Sequence, residues 1–191
     1  MDTSKLQFTR AETKKDIEGI LQLQQNNLTQ KLPDDEIKSQ GFVTVTHTID
    51  LLDKLNKIEK HIIVKENERV IGYLLAMTQA SSNMLPILRP MFEQFATISY
   101  KGKKVTKYNF VVVGQVCIDK FYRGQGILDR CYEYYKNCFM DKYDFAITEI
   151  AISNQRSVNA HKRIGFKDIN SYKSNDNIDW TIVLWDWKNG S

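Results

Sequence analysis

The run Tyr108-Asn-Phe-Val-Val-Val-Gly-Gln-Val-Cys-Ile118 constrains the fold more than any other stretch of the chain. It is too apolar to be an edge strand, so it predicts a strand inside a sheet. It leads through the turn Gly124-Gln-Gly126 into a helix expected from about Gly124 to Met140. A strand passing through a glycine turn into a helix turns backbone amides toward one point. The helix start adds unpaired N–H donors and a positive dipole end, an arrangement that suits a pyrophosphate.

The elements around this segment are mixed. A strand is expected over Leu6–Arg10, then a capped helix start at Thr13 with Ile17, Ile20, Leu21 and Leu28 at helical spacing. Pro33-Asp34-Asp35-Glu36 reads as the first turn of a short helix, and Thr48–Leu55 as another. His61–Val64 and Val70–Met77 predict a hairpin turning at Glu66-Asn67-Glu68. Asn83–Phe95 reads as a helix that Pro86 and Pro90 weaken. Phe145–Ile152 predicts a strand and Gln155–Ile164 a helix. Phe166–Tyr172 and Ile178–Trp187 predict a closing hairpin. Strands and helices in this order point to an α/β or α+β sheet domain.

No repeat, linker or composition break divides the 191 residues, so a single domain over 1–191 is expected. Apolar residues make up 42% and charged residues 26%, which excludes a disordered or collagen-like chain. The 27 basic and 23 acidic residues leave a net charge of +4, which permits an anionic ligand without demanding nucleic acid. No apolar run approaches the ~18 residues of a membrane span, so no membrane association is expected. Met1-Asp2-Thr3-Ser4-Lys5 has no apolar stretch of signal-peptide type. Cys117, Cys131 and Cys138 are odd in number and show no metal-type spacing. They fit a reducing cytoplasm better than a disulfide framework or a zinc site, and Cys131 and Cys138 read as core thiols. His47 and His61 also lack metal-type spacing and receive no role.

Two familiar phosphate loops fail at the glycine turn. A Walker loop needs Gly-Lys-Ser/Thr, which is missing, and a dinucleotide fingerprint needs a third glycine where Asp129 stands. Arg123-Gly-Gln-Gly126-Ile-Leu128 instead resembles the acyl-CoA loop of the GNAT superfamily of N-acetyltransferases, Gln/Arg-x-x-Gly-x-Gly/Ala, departing only at Leu128. Asn154-x-x-Ser157-x-x-x-His161-x-x-x-Gly165-Phe166 resembles the family's Asn-x-x-Ala/Ser-x-x-x-Tyr-x-x-x-Gly-Phe stretch, with histidine in place of tyrosine. The two motifs stand in the family's order.

The resemblance implies a mixed, splayed central sheet of about seven strands flanked by helices, with acetyl-CoA held between the family's fourth and fifth strands as acyl donor and no metal. The backbone of Val116, Cys117 and Ile118 would pair with the pantetheine arm. Arg123 and the amides of Gly124, Gln125, Gly126, Ile127 and Leu128 would hold the pyrophosphate, and Asn154 would contact the arm. The implied reaction is direct attack of a primary amine, from a small molecule or a peptide, on the thioester in a ternary complex. The partners implied are acetyl-CoA and an amine, in a monomer or homodimer. A non-catalytic acyl-CoA sensor of the same fold is the alternative.

An amine of lysine type has a pKa near ~10.4, so losing its proton at neutral pH costs about 4–5 kcal/mol. Glu149, in an otherwise apolar strand five residues before Asn154, is the candidate base, and the alternative is an outward glutamate paired with a lysine. His161 is the candidate acid at the family's tyrosine position, or a cofactor contact, or a satisfied core histidine. A covalent route through Cys117 runs against the family's chemistry. Asp34, Asp35, Glu36 and Asp176 offer either attraction for a cationic acceptor or a dipole-matched helix start and a solvated turn. Lys101, Lys103, Lys104 and Lys107 read as a solvated loop or a contact for the 3′-phosphate of CoA.

Overall fold

A computed structural model describes residues 5–28, 46–82, 84 and 86–188. The segment Pro33–Glu36, expected to open a helix, lies outside the described residues. Seven strands form one sheet in the order β1-β2-β3-β6-β7-β9-β8, and two short strands form a separate ribbon. The chain divides into two compact units, Met1–Ala76 with Val113–Cys138, and Met77–Val112 with Phe139–Ser191.

In the first unit β1 (Leu6–Arg10) pairs antiparallel with β2 (Ile62–Glu66), and β2 with β3 (Arg69–Met77). Their turn is tighter than the sequence suggests, with Asn67 at φ 54° making the reversal. Helix α1 (Lys14–Gln25) opens on a capping box in which Thr13 accepts from the Asp16 amide and Asp16 accepts from the Thr13 amide. It stops short of Leu28, because Asn27 Nδ2 donates to the Leu23 carbonyl at 2.8 Å and takes up an acceptor of the last turn. Helix α2 (Ile49–Ile58) is capped by Thr48. Buried Asn56 donates to Ala11 O at 3.0 Å and accepts from His61 N at 2.8 Å, tying α2 to both strands at the Arg10–Ile62 end of the β1–β2 ladder.

Strand β6 (Phe110–Ile118) contributes to both units. Its last residues press on β3, where a Cβ at Gly72 would lie 2.6 Å from Ile118 Cδ1. After β6, helix α4 (Ile127–Phe139) begins three residues later than expected, because Gly124 and Gly126 remain in the turn at φ 75° and 73°. Cys131 is fully buried as expected, whereas Cys138 is half-buried.

In the second unit, a 3₁₀ turn at Pro86–Leu88 leads into α3 (Arg89–Thr97), so the prolines set a later start than the expected Asn83. A ribbon of β4 (Ser99–Tyr100) and β5 (Lys103–Lys104) carries the basic cluster. Lys101 bonds Asp186 at 2.6 Å, Lys104 bonds Thr97 O at 2.6 Å, and Lys103 lies over the Tyr108 ring. Phe110–Val112 of β6 pairs in parallel with Phe145–Ile147 of β7 (Phe145–Ala151), and both strands run on past this ladder. Helix α5 (Gln155–Ile164) follows, then β8 (Lys167–Lys173) and β9 (Asp179–Asp186), antiparallel to each other, with β9 antiparallel to β7. The stacked rings of Phe110 and Phe145, with Phe95 edge-on to Phe110, fill this unit's core.

Candidate functional site

The first unit holds the glycine turn. Asp119 ends β6, caps the turn Lys120–Tyr122 through the Phe121 amide, and pairs with Arg69. Arg123 then folds back. Its Nε donates to Ile118 O at 2.8 Å and its Nη2 to Asn27 Oδ1 at 2.6 Å. The guanidinium therefore braces the loop between the end of β6 and the end of α1. Among the described residues no atom lies within 4 Å of a Cβ built at Gly124 or Gly126, so they leave space over this stretch of backbone. Both glycines are required by their left-handed conformation. The helix that follows spans thirteen residues. A concave run of amides ending on a helix start fits a diphosphate.

Val116 is half-buried, and Cys117 and Ile118 are buried. Burial pushes the Cys117 thiol up to about 12, against a smaller opposing effect of Arg123, so it is not a thiolate nucleophile at neutral pH. Beside Val116, Gln115 Oε1 accepts from Gln24 Nε2 at 2.6 Å and from the Tyr73 hydroxyl at 2.7 Å. Gln24 also accepts the His47 amide proton, and its Nε2 meets His47 Nδ1 at 2.8 Å. The sequence gives no sign of this buried polar network, because its members come from four separate segments. A hollow of 380 Å³ beside Asp119 is lined by Lys15, Glu18, Gln22, Asn26 and Arg69, and holds none of the residues expected to bind the donor.

The second unit holds the titratable candidates. Glu149 lies opposite Ile182 in the β7–β9 ladder and is half-buried. Burial raises its pKa to about 7, and the Tyr172 hydroxyl, donating to Oε2 at 2.7 Å, limits that rise. Burial and the neighbouring carboxyl together raise the Tyr172 phenol. His161 is 2% exposed, edge-on to the Phe166 ring, with Nδ1 2.8 Å from the Ser157 carbonyl. A carbonyl accepts only, so Nδ1 carries the proton and Nε2 the lone pair. Burial lowers the His161 pKa to about 4, which keeps the ring neutral at pH 7. Asn154 caps α5 by accepting from Ser157 N at 3.2 Å, which leaves its amide group as a donor. Asp176 is exposed in the β8–β9 turn, while Asp34, Asp35 and Glu36 lie outside the described residues.

Among the described residues no group of three or more His, Cys, Asp or Glu side chains could hold a metal ion. No helix among them is long and apolar enough to cross a membrane.

Residues 26–166 match the model of the acetyltransferase (GNAT) family. The chain belongs to the GNAT family. Solved structures show the same fold at low identity. The ribosomal-protein-S18-alanine N-acetyltransferase from Escherichia coli is 11% identical with a TM-score of 0.61, covering 97% of this chain and 99% of that one. An N-acetyltransferase from Staphylococcus aureus Mu50 is 18% identical with a TM-score of 0.59, covering 96% and 99%. The NatC complex bound to Gag peptide and CoA is 12% identical with a TM-score of 0.64, covering 96% and 99%. No curated protein sequence matches the chain. In this GNAT acetyltransferase both segments, Arg123–Leu128 and Asn154–Phe166, fall within the matched residues, one in each unit.

Proposed function

We propose that this GNAT acetyltransferase transfers an acetyl group from acetyl-CoA to a primary amine by direct attack, with Glu149 as the base. The observation that carries the reading is Glu149 itself, a carboxyl poised near neutrality by burial. Moving a proton from an amine at ~10.4 to an ordinary carboxylate costs about 8 kcal/mol, and to one near 7 about 5 kcal/mol. Burial therefore removes about 3 kcal/mol of the uphill transfer.

In this reading the backbone of Val116, Cys117 and Ile118 lies along the pantetheine arm, and a β6 amide donates to the developing oxyanion. The amides from Gly124 to Leu128 hold the diphosphate, with Arg123 stiffening the loop from behind. Asn154 donates to the arm from the start of α5. Glu149 takes one proton from the ammonium, and the amine nitrogen bonds to the thioester carbon. The C–S bond then breaks, and the sulfur leaves with the second nitrogen proton as a free thiol. His161, neutral and with Nε2 as acceptor, contributes by accepting a hydrogen bond rather than by donating a proton. The whole chain acts as one such domain, in the cytoplasm.

Thiol release across a panel of amines and peptides, with and without Glu149→Gln, tests this. Turnover should rise with pH through about 7 in the native chain. The variant should keep its CoA affinity and lose roughly a hundredfold or more in kcat/KM. Full activity in the variant would remove Glu149 from the chemistry. Tight CoA binding with no turnover on any amine at any pH would identify a sensor instead.

A further inference from the structure

We propose that Tyr172 is the positioning residue of Glu149, its hydroxyl holding Oε2 so that Oε1 is the oxygen presented to the acceptor amine. This rests on the reading of Glu149 as base. The argument begins with strand register. Glu149 lies opposite Ile182, Ala151 opposite Trp180, and Trp180 opposite Tyr172. Residues directly opposite one another share a face, and so do residues two apart. Tyr172 therefore stands on the same face as Glu149, and its side chain spans β9 to bond it at 2.7 Å.

That placement depends on an irregularity. Asp168 pairs with Val183, but Asn170, not Ile169, pairs with Ile182. In a regular ladder Tyr172 would oppose Asp179 and point to the other face. One extra residue at Ile169 re-aims the phenol onto Glu149, the kind of task bulges perform. Among the described residues, no charged group shifts this carboxyl. On its own strand Glu149 is flanked by Thr148 and Ile150, and β9 presents Thr181, Ile182 and Val183. Asp168 of β8 is engaged by Lys162 and Thr181, Lys173 pairs with Asp179, and His161 of α5 is neutral. The shift of Glu149 thus reflects burial, opposed by the Tyr172 hydrogen bond.

A hydroxyl that donates to the ionised carboxyl favours ionisation, so its removal must raise the pH at which Glu149 loses its proton. Tyr172→Phe keeps the ring and removes only this bond. The Glu149 carboxyl is titrated by difference infrared spectroscopy against Glu149→Gln, and kcat/KM is measured across pH on the same proteins. The expected result is an upward move of about half a unit or more in both the carboxyl midpoint and the acid limb of the rate profile. The loss of rate should be several-fold near pH 6 and shrink above about pH 8 to a pH-independent remainder, the part due to a carboxylate no longer held in place. An unmoved midpoint, or the full native rate above about pH 8, overturns the proposal. A midpoint that moves while the acid limb stays fixed, with Glu149→Gln fully active, overturns the base reading and this inference with it.

Discussion

Gly165 shows how one atom can be excluded twice. Its φ is 118°, a region that side chains with a Cβ rarely adopt, and a Cβ there would lie 2.9 Å from Trp185 Nε1. Gly126 is also left-handed at φ 73°, but no atom of the described residues lies within 4 Å of a Cβ there. Alanine at Gly126 therefore meets backbone strain alone, about 1 kcal/mol. At Gly165 it must also displace the indole, and we expect a loss of about 2–3 kcal/mol from urea unfolding of Gly165→Ala. Both glycines are legible in the sequence, one by ending a helix and one by opening it. Tyr172 is not, because its face is fixed by a bulge at Ile169 that no periodicity in Lys167–Lys173 announces. The neutral state of His161 is equally hidden, since it follows from burial against Phe166 and from the Ser157 carbonyl.

Helix α1 is anchored through one carboxyl at its start. Asp16 is 3% exposed, accepts from the amides of Glu12 and Thr13, and pairs with Lys65 of β2. Burial alone would raise its pKa, yet the bonds from Lys65, Thr13 and Glu12 hold it below the usual carboxylate range. Asp16→Ala would leave two amides and a largely buried ammonium without this partner, at a cost of about 3–4 kcal/mol. Thr13→Ala removes one cap acceptor and should cost about 1 kcal/mol. Comparing the two by thermal unfolding separates the ion pair from the cap. The start of this helix was legible from Thr13 onward, but its end was not. Leu28 continues the apolar spacing, while the Asn27 side chain closes the helix before it. Helix α5 was readable at both ends because Asn154 caps one and Gly165 the other. The β8–β9 hairpin was legible from its two short runs, whereas β7 and β9 pair residues too far apart in sequence for local pattern to join them.

At the scale of the molecule, the three histidines act together. His47, His61 and His161 are all buried, and burial lowers their pKa values to about 4, 3 and 4. A histidine with a depressed native pKa contributes stability above its unfolded value of ~6.5, and that contribution is lost as pH falls toward the native value. Glu149 acts in the opposite sense, since its native pKa is raised and protonation favours the folded form below about 7. Three groups against one leave the histidines dominant. The unfolding free energy from urea titrations should therefore fall steadily between about pH 6.5 and 4.5, by several kcal/mol in total. Composition revealed the count of three histidines but not their burial, which depends on partners such as Asn56 and Gln24 brought in by the fold. The same burial has an effect on the surface. With every histidine neutral and enclosed, Glu149 is, among the described residues, the side chain that burial brings to about 7. Between about pH 5 and 8 the imidazoles therefore add almost no charge to the folded protein. A change in turnover across that range is then not a change in histidine charge, and Glu149 is the group whose titration it must be compared with.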